Sequence, residues 1–545
     1  MRADLEQFLV RYEKYLPWVL CLLFAAVTVP GISWGAPALW NPDELFWRVN
    51  MALGGEMKFD ETEPDFNYPS LPKHIMYGVA WLVQRAGGSQ VAVLVSARLI
   101  SVLLGALTIL LIYAIAKMAS KSILTRLLAA FLALSSTVLV HNARFAHNDL
   151  YLLFFITLAL YALLKSRLSG HRLWLYLAFF SVGCAASSKY TGVSFVVVLL
   201  VFYFIDRRVA LRKDWLRVVE TLLIASGLTV AGYVVGTPKA LLWMSFYFKR
   251  MIPAALRFAS YGRGPDSLIG FYGQWGIFRA AVGTWVYTLF LLALAWFTLK
   301  LALIALKKVT EDEQRRKVIL TLLVAILLFD IPFWMSYNYV PRFFLPFLPM
   351  FAVLASLFVE DAVAFVRARG SALAARLIGV LVLLVLAVSF LNVLSVVLLF
   401  ENDARIPAGA FIQTLEPNTV IEYTLYPPSF PVERFARARN YPIYLIKYPG
   451  ETVPTNKAFP YNKGEDGLYE RGVDYLVIDS FTYVRFGDEY ICQTNPVECE
   501  FFRQLLAGET DLTLLASFEY SLPPYLPQIS LAAVNPVIKV YQVPR

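Results

Sequence analysis

The first residues of this 545-residue chain with chemical potential are Asp43 and Glu44, in "WNPDELFWRVN" (40–50), shortly after a long apolar stretch. A carboxylate can take the proton of an attacking hydroxyl or offer hard oxygens to a divalent cation. Arg48 follows in the same stretch, then Tyr68 and Lys73 in "NYPSLPKHIMYG" (67–78) and Asp149 at the end of "HNARFAHND" (141–149). Lys189 lies in "SSKYTG" (187–192) and Arg342 in "SYNYVPRFFLPFLP" (336–349). Cations of this kind steady a group that gains negative charge during a reaction. Each residue also has a plainer reading. Asp43 could cap a helix beginning at "ELFWRVNMAL", and Asp149 one that follows Asn148. Lys189 could snorkel, and Arg342 could be a boundary anchor. Tyr68 and Lys73 could be ordinary loop and interfacial-helix residues. His74 and His147 lack the paired spacing of a metal site.

The elements that must position these groups are membrane helices. Hydrophobic residues make up 58% of the chain and charged residues 16%, against roughly 25% charged in a soluble domain. About eleven runs are apolar enough to cross a bilayer core of about 30 Å. They lie near 15–34, 91–116, 124–140, 149–166, 172–187, 190–206, 218–236, 280–305, 318–336, 343–365 and 374–400. The first follows Arg2, Arg11 and Lys14 and is longer than a cleaved signal core, so it reads as a retained anchor. With a cytoplasmic N-terminus, basic residues gather in the inward loops: Lys117, Lys121 and Arg126; Lys165, Arg167 and Arg172; Arg207 to Arg217; Lys300 to Lys317; Arg367 to Arg376. The short outward loops hold Arg144, Lys189 and Arg342. This is the positive-inside pattern, and it explains the net charge of +10 without a nucleic-acid partner.

Three longer pieces then face outward: 35–90, 237–279 and everything after about 401. The expected fold is mainly α, a polytopic bundle over residues 1–400 with an extracytoplasmic α/β domain over 401–545. In that domain "TVIEYTL", "YPIYLI", "VDYLVIDS" and "IKVYQV" read as strands, and 408–415 and 498–507 as helices. "YGRGPDS" (261–267) reads as a turn, not a phosphate loop. Cys21 and Cys184 fall in apolar spans. Cys492 and Cys499 could form a disulfide if their region faces an oxidising compartment.

In order along the chain, "PDELFW", "YPSLPKHIMYG", "ARFAHNDLYLLFF", "SSKYTG", "PRFFLPFLP" and "ENDARIPAGAFIQTLEP" resemble motifs of the C-type (GT-C) membrane glycosyltransferases. The nearest branch looks like bacterial relatives of protein O-mannosyltransferases and lipid A aminoarabinose transferases. Leu45, Trp47 and Tyr68 depart from the usual residues, and Tyr68 stands where the family often has His or Lys. The resemblance implies a cell-membrane glycosyltransferase, hexosyl or pentosyl. It would move a sugar from a polyprenyl-phosphate donor to a protein, lipid or glycan acceptor. Asp43 and Glu44 would be the catalytic residues, with Asp43 as the base of an inverting displacement. Arg48, Tyr68, Lys73, Asp149, Lys189 and Arg342 would bind substrate. A metal is chemically possible at Asp43, Glu44 and Asp149, but the nearest branch implies no metal and no other cofactor. A lipid-linked saccharide flippase would instead place charges at mid-membrane and show an internal repeat. A non-catalytic envelope assembly protein would have no use for the acidic pair.

Overall fold

The computed structural model describes residues 9–60, 63, 68–207, 214–260, 270–334, 336–337, 339–446, 452–453 and 461–544. The expected turn at 261–267 lies outside them. Seven of the helices are long and apolar enough to span a membrane: Gln90–Ala119, Asp149–Ser169, Trp215–Gly236, Thr284–Ala305, Glu313–Trp334, Pro341–Ala368 and Ala372–Ile412. Shorter apolar helices lie at Leu16–Thr28, Ile123–Leu134 and Tyr190–Asp206. The chain divides into two compact units. One comprises Met1–Ile32 and Asp43–Leu394, the other Ser33–Pro42 and Ser395–Arg545.

In the first unit α1 is Leu16–Thr28, α2 Phe46–Leu53, α3 Leu71–Arg85 and α4 Gln90–Ala119. The run expected to be one span at 124–140 is broken into α5 (Ile123–Leu134) and α6 (Thr137–Asn142). Ser135 and Ser136 separate them, and Ser136 adopts an extended conformation, as serines at helix ends favour. Next come α7 (Asp149–Ser169), α8 (Arg172–Ser188), α9 (Phe195–Arg207) and α10 (Trp215–Gly236). The stretch expected to face outward, 237–279, contains α11 (Met244–Ser260) and leads into α12 (Gly270–Val282). The unit closes with α13 (Thr284–Ala305), α14 (Glu313–Trp334), α15 (Leu348–Ala368) and α16 (Ala372–Glu401), which continues into the second unit.

Burial shows which helices are central. The first ten residues of α15, Leu348 to Leu357, are all buried. On α16, Leu377, Val380, Leu381, Leu383 and Leu384 are exposed, which suits a helix facing lipid tails. Lipid supplies no hydrophobic drive between helices, so close backbone packing matters more. The α8–α10 seam shows this. A Cβ on Gly183 would fall 2.1 Å from Thr229 O, and one on Gly232 2.3 Å from Phe180 O.

The second unit holds a five-stranded sheet. Its strands are β1 (Val420–Tyr423), β2 (Arg437–Asn440), β3 (Tyr475–Asp479), β4 (Thr513–Phe518) and β5 (Ile538–Gln542), in the order β2-β1-β3-β5-β4. β1 pairs parallel with β2 and β3, while β5 pairs antiparallel with β3 and β4. All five residues of β3 are buried, as expected where both faces of a strand are covered. "YPIYLI" does not form the expected strand. β2 is instead the polar "RARN" just before it, a charged strand suited to an edge. Tyr441 turns into the core, where its hydroxyl donates to Glu498 at 2.9 Å. Burial raises the Glu498 carboxyl above its ordinary pKa. Cys492 and Cys499 form a disulfide. Residues 33–42 contribute Trp34 and Trp40, which flank the Arg405 guanidinium at 4.9 and 4.3 Å, while Asp403 holds Arg405 at 2.7 Å.

Candidate active site

Four segments of the first unit converge. Asp43 precedes α2, whose N-cap is Leu45 and has no side-chain cap. Its carboxylate instead meets Arg342, Nη2 to Oδ2 2.8 Å. Arg342 sits on a 3-10 turn, Pro341–Phe347, where closely spaced prolines deny the chain regular helical hydrogen bonds. Its Nε lies 3.6 Å from Asp149 Oδ2. Asp149 opens α7 without a capping bond from Asn148. Lys189 Nζ approaches its Oδ1 at 2.8 Å, and His147 Nδ1 approaches its Oδ2 at 2.8 Å. Asp43, Arg342, Asp149 and Lys189 therefore form a chain of alternating charge, and His147 branches from it at Asp149. The two carboxylates differ in exposure: the Asp43 side chain is 48% exposed and that of Asp149 3%.

Local backbone explains how Lys189 reaches this place. α8 ends at Ser188, and Lys189 is extended, with φ −152° and ψ 132°. A 3-10 turn, Tyr190–Ser194, follows. Gly192 makes that turn possible, because its absent Cβ would sit 2.5 Å from the Ala185 carbonyl carbon. The lysine ammonium also lies over the Phe343 ring at 4.5 Å, a cation–π contact.

Glu44 takes a separate course. It is fully buried and pairs with Arg98, which donates from Nη2 at 2.6 Å and Nε at 3.1 Å. The same carboxylate accepts Ala146 N at 3.1 Å, and Arg98 Nη1 donates to Ile32 O at 2.7 Å. This pair fastens the residue-43 segment to the 143–149 segment. Leu45 N to Ala146 O, 3.0 Å, adds a backbone link. Arg98 was visible in the sequence as a lone charge inside an apolar run.

Lys73 belongs to a second buried cluster. Glu63 is paired with both Lys73 and Lys239, and Lys73 also donates to Tyr68 O at 3.2 Å. Tyr68 joins the two clusters, since its ring stands edge-on to His147 with centroids 5.5 Å apart. Glu63 and Lys239 gave no sequence signal beyond their place in the outward stretches. Arg48 is buried, with its guanidinium 3.3 Å from the Trp47 ring centre and Nη1 4.0 Å from Met51 Sδ. Among the described residues no group of three or more His, Cys, Asp or Glu side chains is placed to share a metal ion.

Residues 43–235 match the family model for dolichyl-phosphate-mannose-protein mannosyltransferase. No curated protein matches the chain by sequence. Among solved structures, the chain is similar to an oligosaccharyltransferase of Archaeoglobus fulgidus in complex with Zn and sulfate. That match has a TM-score of 0.50 and 11% identity, and covers 94% of this chain and 73% of the other. ArnT from Cupriavidus metallidurans bound to undecaprenyl phosphate aligns at TM-score 0.48 and 15% identity, over 96% and 98% of the two chains. The S. cerevisiae protein O-mannosyltransferase Pmt1-Pmt2 complex bound to the sugar donor aligns at TM-score 0.33 and 20% identity, over 50% and 36%. The chain thus shares the fold of that oligosaccharyltransferase, and its residues 43–235 match the dolichyl-phosphate-mannose-protein mannosyltransferase family model.

Proposed function

We propose that the protein moves a sugar from a polyprenyl-phosphate donor to a hydroxyl acceptor at the extracytoplasmic face of the membrane. The reaction is a single inverting displacement at the anomeric carbon. Support for the donor class comes from the matched family, whose description names a dolichyl-phosphate-linked sugar. The central observation is the exposed Asp43 carboxylate bound to Arg342 beside a buried, lysine-held Asp149. As the acceptor oxygen attacks, its proton passes to Asp43. The bond from C1 to the phosphate oxygen breaks, and its electron pair stays on the phosphate. Arg342 and Lys189 steady the charge that develops there. A donor phosphate that engages Arg342 competes with Asp43 for it and so frees the base. Glu44, committed to Arg98, positions the loop and is not a second base. Lys73 acts from the neighbouring cluster through Tyr68.

Asp43→Asn tests the reading, with polyprenyl-phosphate mannose as the first donor and initial rates of transfer as the readout. A proton acceptor's loss should lower transfer by about 10²–10⁴-fold, with donor binding retained. Wild-type rates in the purified variant would remove Asp43 as base and point to Asp149.

A further inference from the structure

His147 is unused by the mechanism above, yet it is buried against the site. Its side chain is 4% exposed. Nδ1 lies 2.8 Å from Asp149 Oδ2, and the ring meets Tyr68 edge-on. Nε2 is buried and has no hydrogen-bond partner among the described residues. A buried polar atom left unpaired is costly, by about 1–3 kcal/mol, and in a native protein it calls for an explanation. The Asp149 carboxylate, 2.8 Å from Nδ1, favours a proton on that nitrogen. Nε2 can then donate only when the ring is the doubly protonated imidazolium.

We infer that His147 is a phosphate-binding residue whose Nε2–H donates to the donor phosphate, so that donor binding takes up one proton. The inference rests on the donor class proposed above. The groups facing the ring and its partner are Asp149, Lys189, Arg342, Asp43 and Tyr68. Asp43 and Asp149 oppose Arg342 and Lys189 charge for charge, so the four carry no net charge. An arriving phosphodiester adds one negative charge, and the imidazolium balances it. A neutral imidazole would present its Nε2 lone pair to the anion and repel it. No bond to hydrogen is broken in this step: a solvent proton is bound, and the phosphate accepts a hydrogen bond from it.

A polyprenyl methyl phosphate diester is a suitable probe, because its charge stays fixed across neutral pH. Binding to the full-length protein in detergent is measured from pH 5.5 to 8.5, with the matching polyprenol as the uncharged control. Wild type should bind the diester more weakly as pH rises, by up to about tenfold per pH unit. His147→Gln keeps an Nε donor but cannot titrate, so its affinity should be flat. His147→Asn keeps the contact with Asp149 but lacks the Nε2 donor, so it should lose at least fivefold at pH 6 while remaining folded. Lys189→Arg keeps its charge throughout, and the slope should persist in it. A slope that survives in His147→Gln, or vanishes in Lys189→Arg, overturns the inference. Wild type that does not prefer diester over polyprenol at any pH would overturn the donor class itself.

Discussion

At the scale of residues, adjacent Asp43 and Glu44 do different work because their surroundings differ. Glu44 has lost all contact with water and is stabilised by Arg98 and the Ala146 amide. Removing one member of a buried pair leaves the other uncompensated, at about 3–5 kcal/mol. Glu44→Gln should therefore lower the thermal stability of the purified protein and shorten its survival in detergent. Asp43→Asn, at a partly exposed site, should leave the melting temperature nearly unchanged. If the two variants show the reverse pattern, with Glu44→Gln stable but inactive, Glu44 has a chemical role that its burial does not suggest. The sequence showed both acids but not their division of labour, because adjacency says nothing about partners 54 and 299 positions away. The same limit hid Glu63. An acid in an outward stretch reads as a solvated surface group until Lys73 and Lys239 are seen on either side of it.

At the scale of elements, the site is assembled by helix ends, and small residues let those ends meet. Gly236 at the end of α10 leaves no room for a Cβ, which would fall 2.3 Å from Ser187 Oγ and 2.6 Å from Leu71 Cβ. Thr237 accepts the Ser70 amide at 3.1 Å and bonds Ser187 at 2.7 Å. The α8 end that delivers Lys189 is thus registered against both α10 and the first outward stretch. Gly183→Ala should push a methyl group into the Thr229 carbonyl. Transfer and melting temperature should both fall, because neither backbone can yield cheaply. Gly227 lies on α10, the helix that carries Thr229, but a Cβ there meets nothing within 4 Å. Gly227→Ala should be neutral or stabilising by up to about 1 kcal/mol. Equal effects of the two substitutions on thermal unfolding would show that the seam is not a close-packed constraint. The sequence revealed the break at "SSKYTG" because Lys and Gly interrupt an apolar run. It did not reveal the second break at Ser135, since two serines are tolerated inside many membrane helices and only the tertiary packing turns them into a hinge between α5 and α6.

At the scale of the whole molecule, the bundle and the C-terminal sheet domain were legible because both rest on patterns that need no partners: long apolar runs, and β-branched or aromatic clusters between turns. Boundaries were harder to read. Trp34 and Trp40 precede the acidic pair, yet they pack in the second unit around Arg405. Orientation follows from charge, and it makes a prediction. The stretch from Lys307 to Lys317 holds five basic residues against three acidic ones and should face the cytoplasm, since basic residues and not net charge set orientation. The Cys492–Cys499 disulfide belongs to an oxidising compartment, so the second unit should face outward. Cys21 and Cys184 are buried and can be replaced by alanine to clear the background. A single cysteine at Asp312 should then resist a membrane-impermeant thiol reagent in intact cells and react once the membrane is opened. A cysteine at Glu465, a partly exposed position of the second unit, should react from outside without opening. The paired Cys492 and Cys499 should stay unlabelled until a reductant is added. Labelling at Asp312 from outside, together with protection at Glu465, would invert the whole arrangement. The carboxylates and cations of the site would then face the cytoplasm, and an extracytoplasmic acceptor could not reach Asp43.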